Sequence, residues 1–170
     1  MTVFESNLQD LKLVSKGKVR EIYEFDSNTY LFVASDRISA FDVVMQEAIP
    51  QKGVILNKVA NYWLNTTKHI IANHLVDESP ENKPKLKKYH DQLKGRSILV
   101  NKCTTLPIEF IVRGYLAGSA WVEYQKSNTI CGIPIKAGLS KYSELPEPIL
   151  TPSTKAETGH DVNISPSEME

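Results

Sequence analysis

Leu106 to Ser119 reads LPIEFIVRGYLAGS and holds the residues best placed for chemistry. Ile108, Phe110 and Val112 alternate with Glu109, Ile111 and Arg113. That is the two-residue period of a strand, so Glu109 and Arg113 are expected on one face. Opposite charges in an apolar strand need partners if they are buried. The strand is expected to run into Gly114, a short apolar turn and Gly118-Ser119, after which Ala120 to Tyr124 reads as a helix. A small-residue turn that opens a helix offers backbone N–H groups and the positive end of the helix dipole. A guanidinium from the adjoining strand adds a planar fork that matches phosphate. One reading is a phosphate seat made of Arg113, Gly118 and Ser119. The other is a Glu109–Arg113 ion pair beside an ordinary helix start, and the residues alone leave both open.

Three further groups have chemical content. Leu11 to Phe25 reads as two strands joined by Ser15-Lys16-Gly17-Lys18, a turn with a flexible glycine between lysines. It is neither a Walker motif nor GxGxxG, and a solvated basic turn has the same composition. Thr29 to Ser35 is an unbroken apolar strand, expected to be buried on both faces, that ends in Asp36-Arg37-Ile38-Ser39-Ala40-Phe41-Asp42. Charges at the end of a core strand serve either a capped turn or a site. Thr151 to Ser165 is almost wholly polar, the composition of a flexible loop, yet it gathers Lys155, Glu157, His160 and Asp161. Those acids and the histidine lack the spacing of known short metal motifs.

The intervening elements read as scaffold. Gly53 to Ile71 is expected to be a packing helix with Leu56, Val59, Trp63 and Ile70 near one face. His69 and His74 have no partner at metal spacing. Residues 78 to 95 are lysine-rich and are expected to form a solvated, partly helical insertion. Arg96 to Cys103 reads as a strand, and the passage from Ser127 to Pro148 as turns, with Ile149-Leu150 a short strand.

Bulk composition narrows the function classes. In 170 residues, 41% are hydrophobic and 24% charged, as in globular proteins. Twenty basic and twenty acidic side chains cancel, which argues against a nucleic-acid or anionic membrane partner. Cys103 and Cys131 are expected to be free thiols. No signal peptide and no apolar run of membrane-spanning length is present, so a cytoplasmic location is expected.

Four motifs together resemble the SAICAR synthetase (phosphoribosylaminoimidazole-succinocarboxamide synthase) family: Gly17-Lys18-Val19-Arg20-Glu21-Ile22-Tyr23, Asp36 to Asp42 after Ser35, the Leu106–Ser119 signature, and Thr151 to Ile164. The resemblance implies ATP-dependent joining of L-aspartate to the carboxylate of CAIR, a carboxylated aminoimidazole ribotide. The products are SAICAR, ADP and phosphate, made through an acyl phosphate in purine biosynthesis. It implies ATP and Mg2+, with the metal bridging phosphates. It also implies an α+β fold of kinase- or ATP-grasp-like layout. In that layout residues 1–104 form a small antiparallel-sheet ATP-binding domain, and residues 105–170 begin a larger α/β substrate domain.

By the same resemblance Lys16, Gly17, Lys18 and Val19 serve the nucleotide, with Lys102 where an adenine would meet hinge backbone. Asp36, Arg37, Ser39, Asp42, Arg113, Gly118 and Ser119 serve the substrate. Lys155, Glu157, His160 and Asp161 are the catalytic candidates, and no metal ligand is assigned. Homo-oligomerisation is left open.

Ser165-Pro166-Ser167-Glu168 is a capping box, and the chain ends at Glu170. The family's later Asp-x-Lys-x-Glu-Phe/Tyr-Gly signature has no counterpart. The expectation is the N-terminal portion of a longer enzyme, inactive alone and loose after Pro148. Two rivals stand beside it, a non-catalytic nucleotide-binding module and a structural fragment.

Overall fold

The Lys-Gly-Lys turn joins β1 (Lys12–Lys16) to β2 (Arg20–Glu24), an antiparallel hairpin with a register shift between Leu13 and Ser15. Arg20 to Glu24 then pair with β3 (Thr29–Ala34), whose far edge pairs with β7 (Ser97–Asn101). A short strand, β6 (Leu75–Asp77), completes a five-stranded antiparallel sheet in the order β1-β2-β3-β7-β6. The computed structural model describes residues 1–41, 43–155 and 161–169 and divides into two units, Met1–Cys103 and Thr104–Glu170.

In the first unit one sheet face forms the core. Tyr23, Leu31, Val33 and Leu99 pack there with Leu8, Leu11, Leu86, Tyr89 and Leu93. Alternation along β3 is therefore one-sided: Leu31 and Val33 are buried, whereas Tyr30 and Phe32 are half-buried, against the expectation of burial on both faces. The lysine-rich segment is also not a solvated insertion. Its Leu86, Tyr89 and Leu93, the last in the short helix α2 (His90–Leu93), cap the core while the lysines stay outside.

Helix α1 (Lys52–Thr67) reverses the expected packing. It buries Gly53, Asn57 and Asn61 and leaves Leu56, Val59 and Trp63 about half exposed. Gly53 explains the choice, because a Cβ there would collide with the Ala34 carbonyl oxygen and meet Arg96 Nη1 at 2.8 Å. The helix backbone lies against the sheet at a distance only glycine tolerates. Asn57 Nδ2 donates to the Gly95 carbonyl at 3.1 Å on the same face. Between β3 and α1, β4 (Ser39–Ala40) and β5 (Val43–Val44) form a small hairpin.

In the second unit the signature stretch is two strands, not one. Strand β8 (Ile108–Glu109) pairs with β13 (Ser153–Thr154), and β9 (Val112–Tyr115) pairs with β12 (Glu144–Leu150). Gly114 lies within β9, where a turn was expected. Helix α3 (Gly118–Ser127) follows, then β10 (Thr129–Ile130) and β11 (Ile133–Pro134), a hairpin turning through Cys131 and Gly132 at φ 49° and 75°. Leu116, Ala120, Tyr124, Ile130, Cys131 and Leu145 form the core of this unit.

The capping box forms as its sequence dictates. Ser165 N donates to Glu168 Oε2 at 2.7 Å, and Glu168 N returns to Ser165 Oγ at 3.3 Å, opening α4 (Pro166–Met169). The polar run before it is not loose throughout. Thr151, Pro152 and Ser153 are buried, and Ser153 bridges Asn163. Among the described residues no helix is long and apolar enough to cross a membrane.

Candidate functional site

The hairpin turn of the first unit is held from beneath by Arg37. Its Nε donates to the Lys18 carbonyl at 2.9 Å and its Nη2 to the Gly17 carbonyl at 3.1 Å. Its Nη1 meets Glu21 Oε1 at 2.6 Å and the Phe4 carbonyl at 2.6 Å. Arg37 and Glu21 are both nearly inaccessible, at 3% and 1%. A buried pair of this kind holds only because every polar group is satisfied. Its neighbour Asp36 is equally committed, accepting from Val3 N at 2.8 Å, Gly53 N at 2.9 Å and Arg96 Nη1 at 2.8 Å. Burial pushes the Asp36 carboxyl up, but Arg96 and the two amides outweigh it and leave the pKa below its usual value. Both residues are thus spent on the fold, a departure from their expected contact with substrate.

Of the nucleotide candidates, Lys16, Gly17, Lys18 and Val19 form the turn, whereas Lys102 lies at the opposite end of the sheet, beside Glu24 and Asn28. Lys16 is paired with Glu5 at 2.5 Å, and that ammonium holds the Glu5 carboxyl below its usual pKa. Lys18 and Gly17 are exposed, and the Val19 carbonyl accepts from Ser35 N at 3.0 Å. A Cβ on Gly17 would meet only the Arg20 carbonyl oxygen, at 3.5 Å, so the turn itself does not demand glycine. Of these residues only Val19 lines a pocket on the α1 side of the sheet, with Arg20, Phe32, Ala34 and Leu56. Lys102 pairs with Glu24 at 2.6 Å and lies 4.8 Å from the Tyr30 ring centroid. Its backbone N–H is taken by the Asn28 carbonyl, which leaves the ammonium as its outward group. Ser39 is half-buried in β4, and Asp42 lies outside the described residues.

In the second unit Arg113 and Glu109 do not pair. The register that sets Glu109 opposite Ser153 brings Lys155 Nζ within 2.9 Å of Glu109 Oε1. That hydrogen bond and charge, with a smaller contribution from Asp161, raise the Lys155 pKa. Arg113 instead turns its Nε to Thr151 Oγ1 at 3.0 Å and its Nη2 to Ser119 Oγ at 3.1 Å. Gly118, at φ 59°, adopts a left-handed conformation suited to glycine at the start of α3. No side chain caps this N-terminus among the described residues.

Arg113 and Ser119 are brought into contact beside Gly118, and Lys155 and Asp161 lie in one electrostatic neighbourhood. Glu157 and His160 lie outside the described residues. Sequence reasoning overlooked Thr151, Glu21 and Arg96. The visible signal for Glu21 was a charge two residues before Tyr23, on the same core-facing side of the strand. Among the described residues no group of three or more His, Cys, Asp or Glu side chains could hold a metal ion.

Residues 13–170 match the family model described as SAICAR synthetase. A phosphoribosylaminoimidazole-succinocarboxamide synthase from Thermodesulfovibrio yellowstonii is 53% identical over 96% of this chain and 56% of its own length. One from Saccharomyces cerevisiae is 50% identical over 93% of this chain and 55% of its own. The solved structure described as SAICAR-synthase from Saccharomyces cerevisiae complexed with SAICAR superimposes with a TM-score of 0.85. It is 45% identical to the chain and covers 99% of it, and 57% of that protein is matched. The chain spans about half the length of the relatives it matches. Its fold is α+β, and the chain belongs to the SAICAR synthetase family.

Proposed function

We propose that this chain provides the nucleotide and CAIR-phosphate sites for ATP-dependent ligation of L-aspartate to CAIR in purine biosynthesis. The observation that carries the reading is the contact of Arg113 Nη2 with Ser119 Oγ at the start of α3, a helix end without a side-chain cap among the described residues. Donors fixed beside a helix N-terminus favour a phosphate group.

A carboxylate is a poor electrophile. Its oxygen attacks the γ-phosphorus of ATP and ADP leaves. The aspartate amine then attacks the carbonyl carbon of the acyl phosphate, and phosphate departs as the amine loses a proton. The chain's part is to align anions and offset their charge. Lys16, Gly17, Lys18 and Val19 receive the triphosphate, with Arg37 holding the Lys18 and Gly17 carbonyls of the turn. Gly17 leaves room for close approach of phosphate. Lys102 is assigned to the nucleotide from the other end of the sheet, and Ser39 and Asp42 border the substrate. Lys155, with Asp161, Glu157 and His160, serves the reacting carboxylates. Mg2+ belongs to the family's chemistry, but the described residues do not build a metal cage, and no step is assigned to it.

In this reading residues 1–104 are the ATP-binding domain and residues 105–170 the beginning of the substrate domain. In this reading the chain binds both ligands. Calorimetric titration with ATP·Mg and with CAIR tests the reading. Saturable binding of both supports it. ATP alone indicates a nucleotide-binding module, and neither a structural fragment.

A further inference from the structure

Thr151 is 1% exposed and bonded in two directions. Its backbone N–H donates to the Ile111 carbonyl at 2.8 Å, and its hydroxyl donates to the same oxygen at 3.0 Å. A hydroxyl has one proton, and here it is spent on Ile111. Toward Arg113 the Thr151 oxygen is therefore an acceptor, and Arg113 Nε–H fills it at 3.0 Å. Pinning Nε fixes the plane of the guanidinium, because the group is rigid and flat. Nη2 then reaches Ser119 Oγ at 3.1 Å. With its oxygen accepting from Arg113, the Ser119 hydroxyl keeps its proton for an outside acceptor. Among the described residues no hydrogen bond engages Arg113 Nη1. The series runs outward from Arg113 in two directions, Nη2 to Ser119 Oγ and Nε to Thr151 Oγ1, with Thr151 passing its own proton to the Ile111 carbonyl.

We infer that Thr151 is a positioning residue for the phosphate seat: it sets the orientation of Arg113 and, through it, the donor polarity of Ser119. The inference rests on the phosphate reading of Arg113 and adds to it the residue that fixes the plane of the guanidinium. A phosphate dianion accepts from the outward N–H groups of Arg113 and from the Ser119 hydroxyl. Thr151 touches no ligand in this scheme and acts only through Arg113.

Thr151→Val keeps the shape and the backbone bond to Ile111 but removes the hydroxyl. Thr151→Ser keeps the hydroxyl. The test uses the 170-residue chain with 15N-labelled arginine and reads two quantities. The first is hydrogen exchange at Arg113 Nε–H, expected to be protected in wild type and Thr151→Ser and unprotected in Thr151→Val. The second is the affinity for ribose 5-phosphate, expected to fall about tenfold in Thr151→Val and to stay within about twofold in Thr151→Ser. Rapid exchange at Nε in the wild-type chain overturns the inference without any variant, which covers the case of a misfolded valine form. Equal protection and equal affinity in Thr151→Val also overturn it. A wild-type chain that protects Nε but ignores ribose 5-phosphate upholds the orientation of Arg113 and overturns the phosphate seat, so the two failures are distinct.

Discussion

Arg113 Nη2 donates to Ser119 Oγ across 3.1 Å, joining strand β9 to the second residue of helix α3. This contact excludes the simplest alternative for Arg113, an ion pair with Glu109, because Glu109 is committed to Lys155. Lysine cannot reproduce the arginine fork, which bonds Thr151 and Ser119 from separate nitrogens. Arg113→Lys is expected to weaken CAIR by about one to two decades, the equivalent of about 1.5–3 kcal/mol for a charge-assisted bond. ATP affinity should be unchanged. Parallel titrations of both ligands check this, and equal loss for both would mean a general folding defect.

Asp36 ties the N-terminal segment, α1 and the start of β7 together through Val3, Gly53 and Arg96. Asp36→Asn leaves Arg96 buried without its counter-charge, and removing one partner of a buried pair costs about 3–5 kcal/mol. The Asp36 pKa in the folded chain lies below its usual value, so the unfolded state holds the proton more tightly. Its contribution is complete above about pH 4 and is lost as pH falls through the folded pKa. Urea unfolding across acidic pH should give a steeper loss in wild type than in Asp36→Asn.

The turn between β1 and β2 separates fold from function cleanly. A side chain at position 17 meets only ordinary van der Waals contact, at 3.5 Å from the Arg20 carbonyl oxygen. Gly17→Val should therefore melt within a few degrees of wild type, and should lose ATP affinity because the β-carbons occupy the approach path of phosphate. Lys18→Ala should lose ATP affinity by charge alone, with an effect that shrinks as salt rises. Melting curves beside ATP titrations at two ionic strengths check both variants.

Local signals were read well from the sequence. The Lys-Gly-Lys hairpin, the β3 and β7 strands and the Ser165–Glu168 capping box each follow from residues within a few positions of one another. What the sequence withheld was register. Glu109 meets Lys155, not Arg113, because β13 pairs with β8 in a register that no local pattern encodes. Thr151 looked like part of a polar loop because its role depends on a strand partner forty residues earlier, Ile111. Leu56, Val59 and Trp63 looked like a core stripe, yet Gly53 decides which face of α1 meets the sheet. Leu86, Tyr89 and Leu93 were masked by the lysines around them, although their spacing is what places them on the core.

The phosphorus resonance of CAIR is the most direct witness of the central claim, that Arg113 and Ser119 hold the ribose phosphate. Titration of CAIR with the chain, followed by 31P NMR, should give a saturable shift of the 5′-phosphate signal that Arg113→Ala removes. A phosphate signal that stays at its free position while the aminoimidazole protons report binding would contradict it.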